Sequence, residues 1–182
     1  MNLREFAKEV RRVSEDHGWH DPEPSDGQVI AMIHSEWSEA LEAYRNKKDE
    51  KDWYILEGKP EGMAVELADG VIRILDMMGN ETEWLPDWDM DKLPEEQTKE
   101  AEDTGWTEDK HFPDVIAILH SWTACVYNHM ESKPYTAAEA MSEILKMVFT
   151  WMDARGNGPA DILKLKHAYN ITRPYRHGGK NC

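Results

Sequence analysis

Two pairs of acidic residues have a spacing that could build a metal-binding site. Glu36 and Glu39 lie three residues apart, and Glu66 and Asp69 repeat this spacing further along the chain. Residues three apart on a helix lie on one face, so each segment presents two carboxylates together. If the two helices pack as an antiparallel hairpin, all four carboxylates can share one cleft. Oxygen ligands alone select a hard cation, Mg²⁺ or Mn²⁺, rather than zinc.

The setting of the second pair favours a functional site over ordinary surface acids. Acids three apart on a helix are commonly solvated, and for either pair alone that is the simpler interpretation. Glu66 and Asp69, however, belong to the most apolar segment of the chain, where few positions can face water. Four carboxylates in one cleft would raise one another's pKa values unless a cation lies among them. Metal binding is therefore the sharper hypothesis.

The elements that must position these acids are predicted to be helices. Apolar residues recur at helical spacing, and no alternating pattern is sustained long enough to predict a sheet. The helix that carries the first pair begins after Ser25, which forms a capping-box pattern with Gln28. The helix that carries the second pair opens at Pro60, and its apolar surface predicts a place at the centre of the bundle. Three further helices are predicted at 113–131, 136–155 (under a Thr136/Glu139 capping box) and 159–170.

The chain is predicted to be a single all-helical domain, 1–182, with an internal duplication. Val29–Ser35 and Val115–Ser121 agree at five of seven positions, and in both halves a helix is introduced by Lys-Pro and closed by Gly-Asn. Convergence of two helical hairpins on similar apolar patterns is the alternative. The expected divisions are a metal-binding half at 1–80, a linker at 81–111, and a degenerate repeat with a basic C-terminal segment at 112–182.

The second half has lost most of the acids that could bind a metal. Only one of the four aligned positions keeps a carboxylate, so one site per chain is expected rather than two. The aligned positions are Trp122 for Glu36, Cys125 for Glu39, Glu143 for Glu66 and Lys146 for Asp69.

The overall charge excludes some partners and permits others. The chain has 36 Asp and Glu against 21 Lys and Arg, a formal net charge of −15. Such a surface repels polyanions, so no nucleic-acid partner is expected. A small phosphate ligand that carries its own metal ion stays compatible with this charge. No secretory signal, membrane-spanning run or paired-cysteine motif is evident, so a cytoplasmic protein without a membrane partner is expected.

Three separated motifs follow one another along the chain: His34–Glu42, Glu66–Asp76 and the basic segment Lys166–Lys180. Together and in this order they resemble the MazG-like all-α NTP pyrophosphatases of phages and bacteria. The resemblance implies an all-helical bundle that uses Mg²⁺, with Mn²⁺ as a substitute, to hydrolyse an NTP or dNTP to the monophosphate and pyrophosphate. It also implies two sets of site residues. The metal ligands are Glu36, Glu39, Glu66 and Asp69, and the phosphate or nucleoside contacts are Lys166, Asn170, Arg173 and Lys180.

The resemblance also leads to expectations about mechanism and assembly. Glu39 is expected to orient and deprotonate the attacking water, whereas Trp37 is expected to fill core space rather than stack on a base. Residues 81–157 are an insertion relative to the family, whose small subunits form dimers or tetramers. We therefore expect a covalent pseudo-dimer, with further homodimerisation left open. Two alternatives are a dUTPase-like pyrophosphatase and a non-catalytic bundle that binds a nucleotide or a protein partner.

Overall fold

Helices dominate the architecture, which confirms the all-α prediction. The computed structural model describes residues 1–46, 52–92 and 111–179. Within these ranges, no helix is both long enough and apolar enough to cross a membrane. The longer helices are α1 (Leu3–Asp16), α2 (Asp26–Arg45), α3 (Met63–Met77), α4 (Phe112–His129), α5 (Pro134–Ala154) and α6 (Pro159–Ile171). The shorter elements are strands β1 (Tyr54–Leu56) and β2 (Lys59–Glu61), a 3₁₀ helix at Thr82–Trp84 and a helical turn at Arg176–Gly179.

Helix α3 lies at the centre of the bundle, as its apolar surface predicts. It packs against α1, α2, α5 and α6, and its core residues Leu67, Val71 and Leu75 are fully buried. A second helical hairpin, formed by α4 and α5, joins the first through contact between α4 and α2. The carboxylate pairs of α2 and α3 therefore lie on two helices that pack directly against each other.

Trp37 fills the core between α2 and its neighbours, which confirms the structural interpretation of this residue. Its side chain is fully buried, and its indole Nε1 donates a hydrogen bond to Thr123 Oγ1 at 2.9 Å. Gly70 of α3 makes this packing possible, because a Cβ at that position would lie 2.2 Å from the Trp37 ring. A base cannot stack on an indole that is enclosed in this way.

The predicted helix starts after Ser25 and at Pro159 are confirmed, whereas those at Pro60 and Thr136 are wrong. Ser25 caps α2, since its Oγ accepts a hydrogen bond from the Gln28 amide at 3.2 Å. Pro60 does not open α3 but lies in β2. The helix begins at Met63, directly after Gly62, whose φ of 112° lies outside the helical region. Thr136 does not cap α5, which begins one residue after Lys133. Proline is favoured at the first helical position, so Pro134 rather than Thr136 sets that start.

A small antiparallel hairpin between α2 and α3 was not predicted. Strands β1 and β2 are three residues each, joined by Glu57 and Gly58, whose φ angles of 50° and 82° fit a tight hairpin turn. Asp52, just before the hairpin, receives two hydrogen bonds from the Arg155 guanidinium at 2.7 and 2.8 Å and one from Asn157 at 3.0 Å. These bonds anchor the segment before the hairpin to the end of α5.

Candidate functional site

A cavity of about 250 Å³ lies between α1, α2, α3 and α6. The residues that line it recur three or four positions apart on α2, α3 and α6, so one face of each helix borders the cavity. From α2 come Glu36 and Glu39, from α3 come Glu66, Asp69, Arg73 and Asp76, and from α6 come Lys166, His167 and Asn170. The turn after α1 and the segment after α6 close one end with His17, Trp19, His20, Arg173 and His177.

Three of the four predicted metal ligands converge in this cavity. Carboxylate oxygens of Glu36, Glu39 and Glu66 all lie within 4.8 Å of one another. Glu36 and Glu66 are 4% and 6% exposed, whereas Glu39 is exposed. Two buried acids and one solvent-facing acid at this separation form an oxygen donor set of the kind that hard divalent cations use. These residues fit Mg²⁺ or Mn²⁺ by donor chemistry.

The raised pKa values of two acids in the cluster also fit a cation site. Burial is the main cause that raises the pKa of Glu66 to about 7, and the neighbouring carboxylates of Asp69, Glu36 and Glu39 add to it against the opposing charge of Lys166. Burial likewise raises the pKa of Glu36, although Arg73 opposes this change. Without a cation, burial thus favours the protonated forms of Glu36 and Glu66. A bound divalent cation would reverse that preference, because it stabilises the ionised forms.

Asp69, the fourth predicted ligand, lies in the same cavity but is paired with α6. Its Oδ2 lies 2.8 Å from Lys166 Nζ, and its Oδ1 accepts a hydrogen bond from Asn170 Nδ2 at 3.1 Å. Lys166 is only 1% exposed, so this ammonium is held inside the protein by the carboxylate. The pairing joins a predicted ligand to two of the predicted substrate contacts.

Two predicted substrate contacts remain, Arg173 and Lys180, and the structure describes only the first of them. Arg173 lines the cavity just beyond the end of α6. Lys180 lies outside the described residues. Glu42, which continues the ridge of Glu39, does not line the cavity, because its carboxylate bonds to Arg45 and Asn46 on the surface.

Arg73 is a cavity residue that sequence reasoning missed. Its Nε donates a hydrogen bond to Glu36 Oε1 at 2.6 Å, and the charges of Glu36 and Asp69 keep its pKa raised although burial opposes this. The signal was present in the sequence, because Arg73 follows Asp69 by four residues and so lies on the same face of α3. A basic residue at this position places a guanidinium directly beside a predicted metal ligand.

A second polar cluster, centred on Asp76, lies at the far end of the cavity. Asp76 is ten residues after Glu66, about 15 Å along the axis of α3. It accepts hydrogen bonds from Ser14 Oγ at 2.8 Å and from His20 Nε2 at 2.9 Å. Burial lowers the pKa of His20, but Asp76 and Glu23 outweigh it and the net change is upward. These bonds attach the turn after α1 to α3 and so fix one wall of the cavity.

The segment after α6 docks on the turn after α1. His17 Nε2 lies 3.0 Å from the carbonyl oxygen of Arg173, and the backbone N–H of Arg176 donates to the His17 carbonyl at 3.0 Å. Arg176 Nε also donates to the Gly18 carbonyl at 3.1 Å. The Tyr175 ring occupies the space of a Gly18 Cβ, which would lie 2.2 Å away. The basic segment is thus held against the cavity by contacts that require glycine at this position.

Comparison with known proteins identifies no relative of this chain. No protein-family model matches the sequence, no curated protein matches it, and no solved structure is similar enough to match. The arrangement of the side chains therefore carries the functional argument.

Proposed function

We propose that the protein is a divalent-metal-dependent pyrophosphohydrolase that cleaves an NTP or dNTP to the nucleoside monophosphate and pyrophosphate, in the cytoplasm. The observation that supports this most directly is the composition of one cavity. A cluster of three carboxylates lies beside cationic groups from α3, α6 and the following segment. A metal-bound polyphosphate needs both, since the acids hold the cation and the basic groups hold the phosphates. The resemblance to MazG-like enzymes agrees with this proposal.

Glu36, Glu39 and Glu66 would hold the metal, and Asp69 is the nearest further acid. Bound Mg²⁺ supplies charge neutralisation for the phosphates and for the negative charge that develops during their cleavage. Glu39 is the carboxylate best placed to accept a proton from water, because it is the exposed member of the cluster. Glu36 and Glu66 are enclosed, so their role is to hold rather than to exchange protons with solvent.

The Oδ1 atom of Asn170 has no hydrogen-bond partner among the described residues, and its chemistry limits which groups of a ligand it can bind. The Nδ2 atom of Asn170 is engaged by Asp69, while Oδ1 is buried. A carbonyl oxygen accepts but does not donate, so it cannot bind a phosphate oxygen. We therefore assign Asn170 to a donor on the nucleoside, such as a sugar hydroxyl, and leave phosphate binding to the cationic side chains.

We also infer that the chain is a covalent pseudo-dimer with a single site. His34 and His120 stack with ring centroids 5.0 Å apart, and Trp37 bonds to Thr123. Both pairs join positions 86 apart in sequence, so equivalent faces of α2 and α4 meet, as an isologous contact requires. In the second half, Lys146 Nζ lies 3.0 Å from Glu143 Oε1. There an ion pair within α5 takes the place of acids that would hold a metal.

The proposal is tested by measuring pyrophosphate release from a panel of NTPs and dNTPs with Mg²⁺. We expect Glu39→Gln and Glu66→Gln to abolish release. Glu42→Gln, the same substitution on the outer surface of α2, should leave it unchanged. Binding of Mn²⁺ to the three variants gives a second measurement that does not depend on turnover, and Glu66→Gln should weaken it.

One outcome would contradict the proposal, and another would narrow its substrate. A folded wild type that releases no pyrophosphate from any nucleotide, yet binds one, would favour the non-catalytic bundle. Release confined to dUTP would favour the dUTPase-like alternative.

A further inference from the structure

We propose that Arg73 is a phosphate-binding residue that simultaneously positions Glu36, so that one guanidinium joins a metal ligand to the substrate. The inference rests on the proposed function, because it assigns one more residue of the same cavity to a nucleotide phosphate. It adds a residue of α3 to the phosphate or nucleoside contacts that the resemblance implies, which are Lys166, Asn170, Arg173 and Lys180.

The hydrogen bonding of Arg73 leaves part of its guanidinium unengaged. Only Nε is bonded among the described residues, to Glu36 Oε1 at 2.6 Å. The two terminal nitrogens carry the remaining four N–H donors of the group, in a planar fork that matches phosphate oxygens. The side chain of Arg73 is 35% exposed, whereas that of Glu36 is 5% exposed. Arg73 lines the cavity, so its four unengaged N–H donors are available to a ligand there.

Two other cations of the cavity, Lys166 and Arg173, are less suited to this position. The Lys166 ammonium is enclosed and already lies 2.8 Å from Asp69. Arg173 lies on the segment after α6, whereas Arg73 bonds directly to a member of the acid cluster. A phosphate that touches a metal held by Glu36 must come close to the group that holds Glu36. Arg73 is thus a cation in direct contact with a residue that would hold the metal.

A purely structural role makes a different prediction. If Arg73 only holds Glu36 in place, its loss should weaken metal binding and affect nucleotides solely through the metal. If it also binds phosphate, its loss should weaken nucleotide binding even when the metal site is saturated. The two roles are separated by measuring metal and nucleotide affinity independently.

The experiment uses the full chain with Arg73→Gln and Arg73→Lys, and Arg12→Gln as a control that removes an arginine from a surface ion pair on α1. Calorimetry gives the affinity for Mn²⁺ alone, and then for an α,β-methylene NTP at saturating Mn²⁺. We expect Arg73→Gln to weaken analogue binding by about tenfold or more, as loss of a charge-assisted contact should. Arg73→Lys keeps the charge without the fork and should lose less, and Arg12→Gln should lose nothing.

Several results would overturn the assignment. Unchanged analogue affinity in Arg73→Gln would do so, as would a loss fully explained by weaker Mn²⁺ binding. Arg73→Lys retains a partner for Glu36, so it stays informative if Arg73→Gln does not fold. A wild type that binds the analogue but releases no pyrophosphate refutes the proposed hydrolysis and leaves the binding comparison decisive for Arg73. A wild type that neither binds the analogue nor releases pyrophosphate overturns both proposals.

Discussion

Replacing Glu66 by Gln should stabilise the metal-free protein above neutral pH and leave its stability near pH 4.5 almost unchanged. The pKa of Glu66 is raised from 4.5 to about 7, chiefly by burial. The folded state therefore binds more protons than the unfolded state between these values, and the free energy of unfolding falls as the pH rises through this window. Each pKa unit corresponds to about 1.4 kcal/mol, so the wild type should lose about 3 kcal/mol by pH 8. Glutamine does not titrate and avoids this loss.

The assay is urea unfolding followed by circular dichroism at pH values from 4.5 to 8, with EDTA present. Glu39→Gln is the matched control, because Glu39 belongs to the same cluster but is exposed. We expect it to retain most of the wild-type slope. Mg²⁺ should restore the stability of the wild type at pH 8, since the ionised carboxylates then have a counter-charge. It should restore much less in Glu66→Gln.

The reasoning would be refuted if Glu66→Gln were no more stable than the wild type in EDTA at pH 8, because the opposing effect of the histidines with lowered pKa values cancels in that comparison. It would equally be refuted if Glu66→Gln retained the wild-type slope. The first result would mean that the buried cluster does not resist ionisation, and the second that other groups cause the pH dependence.

Three further predictions concern the packing that holds the cavity together. Gly70→Ala places a methyl group against the Trp37 ring and should lower the free energy of unfolding by about 1–3 kcal/mol in a denaturant titration. Thr123→Val leaves the indole N–H buried without a partner and should cost about 1–3 kcal/mol in the same titration. Gly18→Ala should displace Tyr175 and loosen the segment after α6, which limited trypsin digestion would detect as faster cleavage there, with KM raised more than kcat is changed. Unchanged stability for the first two, or unchanged digestion for the third, would contradict the packing described.

Much of the fold could be predicted because its signals are local. The apolar surface of α3 predicts its central position, and the Ser25 cap marks the start of α2. The start of α3 was missed because Pro60 has the features of a first helical residue, and only pairing with β1 places it in a strand. That hairpin gives no periodic signal, since its strands are three residues long and β1 is exposed on all of them.

The parts of the site that depend on the spacing of residues within one helix could be predicted from the sequence. Spacing alone predicts that Glu36 and Glu39 share a face, and the structure brings both to Glu66. It does not predict that Asp69 would be engaged by Lys166 from a helix about 100 positions later, because that contact depends on how α6 packs on α3. The spacing of four residues between Asp69 and Arg73 was a usable signal, whereas the bonds from Arg73 to Glu36 and from His20 to Asp76 depend on how the helices pack together.

The docking of the segment after α6 has a consequence for the order in which the protein folds and opens. Its bonds to the turn after α1 join residues 156 and 158 positions apart in sequence. Contacts of such long range form late, whereas each helical hairpin can form from neighbouring residues. The bundle core can therefore assemble first, and the cavity becomes complete only when this segment arrives. The same segment can detach by local unfolding while the core stays intact, which gives a ligand a route in and out that leaves the fold unchanged.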